Sequence, residues 1–243
     1  MDAPTLSVVV PCHDEEGNLP KLTAAIRDAL EPLRLSYEII ITDDCSRDNS
    51  WRVIEQLATA DSRIRALRFV RTYGQSAALW AGITTARGQF IVTLDADLQN
   101  DPKELPRFCE SLKSFDCVCG SRVAARRQAY GFVRVLSSQI ANGVRNFVSG
   151  ENISDSGCNF RAFKRECVAN LKFFNGMHRF LPTLIKLEGF SVTEIPVAVN
   201  PRKAGKSKYG VWNRLRVTIY DLLIVCWMKK RMIRYQVVEK VNQ

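Results

Sequence analysis

Phe90-Ile91-Val92-Thr93-Leu94-Asp95-Ala96-Asp97 is a run of five strand-forming residues that ends in two carboxylates one residue apart. The aromatic and β-branched run predicts a buried strand, with Asp95 and Asp97 at its carboxyl end. Ligands of open α/β sheets bind outside the carboxyl ends of the strands. Two like charges this close repel unless a cation or positive groups lie between them. A divalent metal is the simplest resolution. Hard oxygen ligands suit Mg2+ or Mn2+, and such a metal would hold a diphosphate. A solvated strand-to-loop turn also accounts for an isolated Asp-X-Asp, so the surroundings decide between the two.

Those surroundings alternate between strand and helix signals. Leu6–Val10 is a continuous apolar run. Asn18 is placed to cap a helix to about Leu30, with Leu19, Leu22, Ile26, Ala29 and Leu30 on one face. Tyr37–Thr42 and Ile64–Phe69 read as strands, Ser50–Ala60 and Ala77–Ala86 as helices, the latter closed by Gly88. After residues 90–94 comes a helix with Asp101 as cap, Pro102 at its first position and Glu104 in its first turn, then a strand at Cys117–Gly120. This βαβαβαβαβ order predicts a parallel, doubly wound α/β sheet flanked by helices. Beyond it, Gly131–Val148 has helical spacing, Val192–Val199 reads as a strand and Pro201–Gly210 as a basic loop. No linker divides these segments, so residues 1–210 are expected to form one domain and 211–243 a basic amphipathic helical tail.

The chain has 243 residues and is 46% hydrophobic, enough for one sizeable core. Its net charge of +10 is uneven. Residues 1–100 carry −4, residues 101–199 carry +5 and residues 200–243 carry +9. A basic end reads as a contact with nucleic acid or an anionic membrane. The acidic rim, and the lack of interleaved aromatic and basic residues, argue against nucleic acid. The eight cysteines include no CxxC pair, which reads as reduced thiols of a cytoplasmic protein. Cys12 and Cys45 are read as small packing residues. The first apolar run ends at Pro11, too short for a signal peptide, and no stretch reaches the roughly 18 uncharged residues of a membrane span.

Two common phosphate devices are missing. No GxGxxG follows the first strand. Asn200-Pro201-Arg202-Lys203-Ala204-Gly205-Lys206-Ser207 imitates a P-loop, but Asn200 replaces its first glycine. A bound diphosphate would need metal and basic side chains instead. Three strand ends bring polar groups to one rim: Pro11-Cys12-His13-Asp14-Glu15-Glu16, Asp43-Asp44-Cys45-Ser46-Arg47-Asp48, and Asp95-Ala96-Asp97-Leu98-Gln99.

With VVVPCHDEEGNL, TDDCSRD, RTYGQ followed by AALWAG, LDADLQNDP, GSR, DSGCNFR and RKAGKSKYG in order, the chain resembles inverting GT-A glycosyltransferases of family 2 from about Leu6 to Tyr209. Within that family it looks like the branch of dolichyl-phosphate mannose synthases and bacterial polyprenyl-phosphate sugar transferases. The resemblance implies a GT-A fold and a nucleotide-sugar donor, UDP- or GDP-linked. It also implies Mg2+ or Mn2+, a polyprenyl phosphate acceptor and a place in cell-envelope glycan or lipopolysaccharide modification. By that likeness Pro11, His13, Glu15, Asp43, Asp44 and Ala96 would line the nucleoside side. Asp95 and Asp97 would bind metal and diphosphate, with Gln99 a further ligand. Arg122, Arg202, Ser207 and Lys208 would grip phosphates, and Arg134 and Ser138, on one helical face, would seat the acceptor phosphate. Asp155 and Arg161 match a D…G…R motif without an assigned role.

Simpler roles compete at several positions. His13 suits stacking on a base better than acid-base work, and His178 suits a structural place. Asp48 could cap the next helix, and Arg126 and Arg127 could be a solvated pair. A family 2 transferase acting on a saccharide hydroxyl is the rival within enzymes, but it would want a further carboxylate base. In the tail, Val217–Trp227 is 11 residues long, contains Asp221 and precedes Lys229, Lys230, Arg231 and Arg234. That pattern suits an interfacial helix on anionic lipid or a membrane partner protein, at the inner face of a membrane. A terminal helix packed on the domain is the other reading.

Overall fold

A computed structural model describes residues 3–125, 153–155, 157–200 and 211–233, the stretch 211–219 by its backbone alone. The expected helix at 131–148 and basic loop at 201–210 lie outside these residues. So do Arg126, Arg127, Arg134, Ser138, Arg202, Ser207, Lys208 and Arg234.

The strands are β1 Leu6–Cys12, β2 Tyr37–Asp43, β3 Ile64–Arg68, β4 Phe90–Thr93, β5 Cys117–Ser121, β6 Arg161–Lys164 and β7 Val192–Pro196. The described α-helices are α1 Leu19–Leu30, α2 Ser50–Ala60, α3 Gln75–Thr85, α4 Leu105–Ser111, α5 Leu181–Leu187 and α6 Val211–Arg231. One seven-stranded sheet runs in the order β3-β2-β1-β4-β6-β5-β7. The expected mostly parallel sheet is present, with one correction. β6 is antiparallel to both β4 and β5 and separates them. It is only four residues long and begins with a buried arginine, so neither length nor alternation marks it as a strand.

Both faces of the sheet are covered, which explains why β1 and β2 are continuous apolar runs. Val8, Val10, Ile39 and Ile41 pack with α1 and α4 residues such as Leu22, Ile26 and Phe108. Val9 and Ile40 point the other way, toward Leu79 and Ile83 of α3 and Leu184 of α5. A Cβ on Gly82 would lie 2.4 Å from Val9 Cγ1, so the missing side chain lets α3 lie close on β1. Pro11 sits inside central strand β1. The β1–β4 ladder ends at Val9–Thr93, and Leu94 N–H closes onto the Val9 carbonyl. Pro11 shares Val9's direction by alternation, so its absent N–H faces a gap where β4 has already ended.

The helix starts differ in detail from expectation. Asn18 occupies the cap position of α1, but its side chain does not cap; its amide donates to Glu15 Oε2 at 2.6 Å. Asp101 does accept from Lys103 N–H at 3.0 Å, opening a 3-10 turn that leads into α4. Asp48 Oδ1 accepts from Ser50 N–H at 2.9 Å at the start of α2.

Candidate active site

The order of strands reverses between β1 and β4, because β2 and β3 extend the sheet one way from β1 and β4 begins the other way. A crevice opens at the carboxyl ends of strands at such a point. His13 and Asp95 lie just past the ends of β1 and β4, and Asp43 is the last residue of β2. Because β6 runs the opposite way, its first residue Arg161 and the preceding Asn159 arrive at the same rim. Rules built on parallel strands overlook that contribution.

Most of the acidic rim is satisfied within the chain. Asp14 adopts φ 57°, and its Oδ1 accepts from Arg47 N–H at 2.7 Å while its own N–H donates to Ser46 Oγ at 2.9 Å. Glu15 N–H donates to Ser50 Oγ at 2.8 Å. Glu16 and Asp48 cross-link the same two loops, Glu16 N–H to Asp48 Oδ2 at 3.2 Å and Asn49 N–H to Glu16 Oε2 at 2.8 Å. Asp43 is fully buried; it accepts from Ser46 N–H and Oγ–H and faces Arg68 Nε at 3.5 Å. Asp44 accepts from Tyr73 N–H at 2.7 Å and Gly74 N–H at 2.9 Å, fixing the turn from which α3 starts. His13 Nδ1 lies 2.8 Å from the Asp44 carbonyl, so a proton on that nitrogen fixes the ring's tautomer and plane. Backbone donors thus offset much of the repulsion that the sequence pattern suggests.

The Asp95/Asp97 pair is different. Burial, and then the charge of Asp97, push the Asp95 carboxyl above the usual carboxylate range, against the pull of Asn159, Arg122 and Arg161. Asp95 Oδ1 accepts from Gln75 Nε2 at 3.0 Å and Asn159 Nδ2 at 3.1 Å. Asp97 Oδ1 accepts from Gln99 N–H at 3.1 Å, with Leu98 between them at φ 58°. Ala96 is buried beneath the turn. Among the described residues no three His, Cys, Asp or Glu groups converge on one point. The pair therefore offers a hard cation part of a coordination sphere, which ligand oxygens must complete. Two adjacent carboxylates, one of them costly to ionise without a cation nearby, fit a divalent metal bound together with a diphosphate.

Arg122 is buried beside this pair but is held by Asp155, with Nε–Oδ2 at 2.7 Å and Nη2–Oδ1 at 3.1 Å. Burial opposes its charge, and the Asp155 carboxylate more than restores it, so its pKa stands above the ordinary arginine value. The matched Asp155 thus works as the partner that fixes Arg122. Arg161 is fully buried and its Nη1 donates to the His178 carbonyl. His178 Nδ1 lies 2.6 Å from Ser76 Oγ, which also accepts from Gly176 N–H at 2.9 Å. Gln75 and Asn159 stand in the RTYGQ and DSGCNFR motifs but had no role assigned from the sequence, and Ser76 lies outside both, because amides and serines carry no spacing signature.

Over residues 7–171 the chain matches the family described as Glycosyl transferase family 2. It is 34% identical over 224 residues to an undecaprenyl-phosphate 4-deoxy-4-formamido-L-arabinose transferase of Aeromonas hydrophila subsp. hydrophila, covering 91% of this chain and 68% of that protein. A protein of the same description from Pseudomonas fluorescens is 38% identical over 220 residues, 90% of this chain and 64% of its own length. The chain therefore spans about two thirds of the length of these relatives. A mannosyltransferase from Pyrobaculum calidifontis in complex with GDP-Man and Mn2+ superposes with TM-score 0.62 at 17% identity, over 95% of this chain and 65% of that one. Glucosyl-3-phosphoglycerate synthase from Mycobacterium tuberculosis with Mn2+, UDP and phosphoglyceric acid gives TM-score 0.66 at 18% identity, over 95% and 80%. At such identities the structural likeness speaks for the fold.

Proposed function

The chain belongs to glycosyl transferase family 2, and from that premise we propose that it moves a sugar from a nucleoside-diphosphate donor to a polyprenyl phosphate, with inversion. The observation that carries this reading is the Asp95/Asp97 pair at the β1/β4 crevice, where burial first and the charge of Asp97 second hold the Asp95 carboxyl above its usual range. Relatives whose names specify undecaprenyl phosphate support the acceptor, and the place in envelope glycan or lipopolysaccharide modification follows from it. Neighbours of the same fold crystallised with Mn2+ and nucleotides support the metal and the UDP- or GDP-sugar donor.

In this reading Asp95 and Asp97, with Gln99 nearby, hold Mg2+ or Mn2+ against the diphosphate. When bound, the cation supplies Lewis-acid stabilisation of charge growing on the leaving group. Pro11, His13, Glu15, Asp43, Asp44 and Ala96 form the nucleoside side. Arg122, held rigid by Asp155, contributes fixed positive charge in a buried place where electrostatic effects are strong. Arg202, Ser207 and Lys208 would grip phosphates, and Arg134 and Ser138 would seat the acceptor. A phosphate monoester has a second pKa of about 6, so the acceptor is already largely anionic at neutral pH. It needs positioning more than deprotonation, and in-line attack inverts the anomeric centre.

Membrane attachment is peripheral and resides in α6. Tyr220, Leu223, Ile224 and Trp227 are 49–69% exposed at the i, i+3, i+4, i+7 spacing of one helix face. Exposed Lys229, Lys230 and Arg231 follow. No described helix is long and apolar enough to cross a membrane, and an apolar face beside a basic run suits the interface of an anionic bilayer. The face meeting the cytoplasm is the one where soluble nucleotide sugars are supplied.

The test is a screen of radiolabelled UDP- and GDP-sugars with undecaprenyl or dolichyl phosphate and Mg2+ or Mn2+. Label is expected to enter the organic phase with one donor. Label passing only to water-soluble saccharides would transfer the assignment to a hydroxyl acceptor.

A further inference from the structure

Two primary amides from distant parts of the chain meet on one carboxylate oxygen. Gln75 is the first residue of α3, and Asn159 lies two residues before β6. Both donate to Asp95 Oδ1, at 3.0 and 3.1 Å. Among the described residues, Oδ2 has only a long 3.5 Å approach from the same Asn159 amide. Each donor is itself fixed. Asn159 is buried, and its carbonyl accepts from Oγ1 of Thr93 at 2.5 Å, the last residue of β4 and two before Asp95. Gln75 follows the Tyr73–Gly74 turn whose N–H groups are held by Asp44.

The chemistry of these donors matters. A lysine or arginine on Asp95 would cancel the charge that a cation needs, whereas an amide satisfies one oxygen and leaves that charge in place. Arg122, a buried cation whose charge acts on Asp95, is itself engaged by a two-point pairing with Asp155. We infer that Asn159 and Gln75 are positioning residues, which occupy Oδ1 of Asp95 and so turn Oδ2 to a divalent cation carrying the donor's diphosphate. The inference rests on the metal-dependent transfer proposed above and assigns residues beyond the acidic pair itself. Hydrogen-bond partners of metal ligands commonly set metal affinity by about 10- to 100-fold.

Mn2+ titrated into the full chain with GDP, and separately with UDP, tests this, with free Mn2+ read from its EPR signal. Gln75→Leu removes an exposed donor without disturbing the core, and is expected to weaken Mn2+ binding by about 10-fold. Asn159→Leu is expected to weaken it by up to about 100-fold. In both, the Mn2+ concentration for half-maximal transfer should rise in parallel while turnover recovers at saturating Mn2+. A structural role alone would not produce that recovery. Unchanged Mn2+ affinity in folded Gln75→Leu overturns the inference and leaves the metal reading standing. Failure of the unsubstituted chain to bind Mn2+ with either nucleotide overturns both.

Discussion

Asp97 stands beside a carboxylate that burial already makes costly to ionise, so its own charge adds to that cost until a cation arrives. Asp97→Ala should therefore lower transfer by at least about 10²-fold, comparable to losing one transition-state stabiliser. The metal-free melting temperature should hold steady or rise slightly, since a like-charge contact is relieved. A calorimetric scan beside the transfer assay checks both halves. His178 offers a different test. Burial, with Arg161 and Arg179 close by, pushes it down from 6.5 to about 3. Its folded value lies below its unfolded value, so the unfolded chain takes the proton first. Its contribution is complete above about pH 6.5 and is lost as pH falls toward about 3. Urea midpoints at pH 7 and pH 5 should fall further apart for the natural chain than for His178→Gln. At this scale the acidic motifs were legible because each follows an apolar run directly. The roles of Gln75, Asn159 and Ser76 were not, because they come from segments that meet only after folding, across separations of 20 to 102 positions.

The element that most needed the structure is α6. An apolar stretch ending in basic residues was evident, but not which side faces inward. Asp221 and Val225 are buried against the domain, and Asp221 Oδ2 accepts from Arg179 Nη2 at 2.8 Å. The charge that rules out a membrane span is thus a docking residue. It closes over Gly176, which has φ 94° and no room, since a Cβ there would lie 2.5 Å from Asp221 Oδ2. Gly176→Ala should destabilise the fold by about 1–3 kcal/mol through backbone strain and displacement of this ion pair, measurable as a lower denaturant midpoint at unchanged slope. Strand β6 was missed for a related reason. Four residues starting with Arg161 look like a loop until the arginine is seen buried in the sheet.

For the molecule as a whole, α6 has two apolar sides. One packs through Val225, Leu222 and Met228 on the domain, and the other presents Tyr220, Leu223, Ile224 and Trp227 outward. Removing the helix would uncover core surface, so substitution of the outer face is the cleaner probe. The 243-residue chain should float with vesicles containing anionic phospholipid and be released by raised salt. A Tyr220→Ser, Leu223→Ser, Ile224→Ser, Trp227→Ser variant should stay with the soluble fraction while its melting temperature changes little. Equal flotation of the two would assign membrane contact elsewhere. The parallel order of most strands, and hence the rim formed at their carboxyl ends, was legible from alternating strand and helix signals. The position of β6, and the covering of acidic groups by backbone donors, depend on long-range packing that no local pattern records.

The most direct measurement is an anomalous-difference map from crystals grown with Mn2+ and either UDP or GDP. The account places the manganese peak within coordination distance of the Asp95 and Asp97 carboxylates, bridged to the nucleotide's diphosphate at the β1/β4 crevice. A nucleotide bound elsewhere, with no manganese at these two side chains, would contradict it.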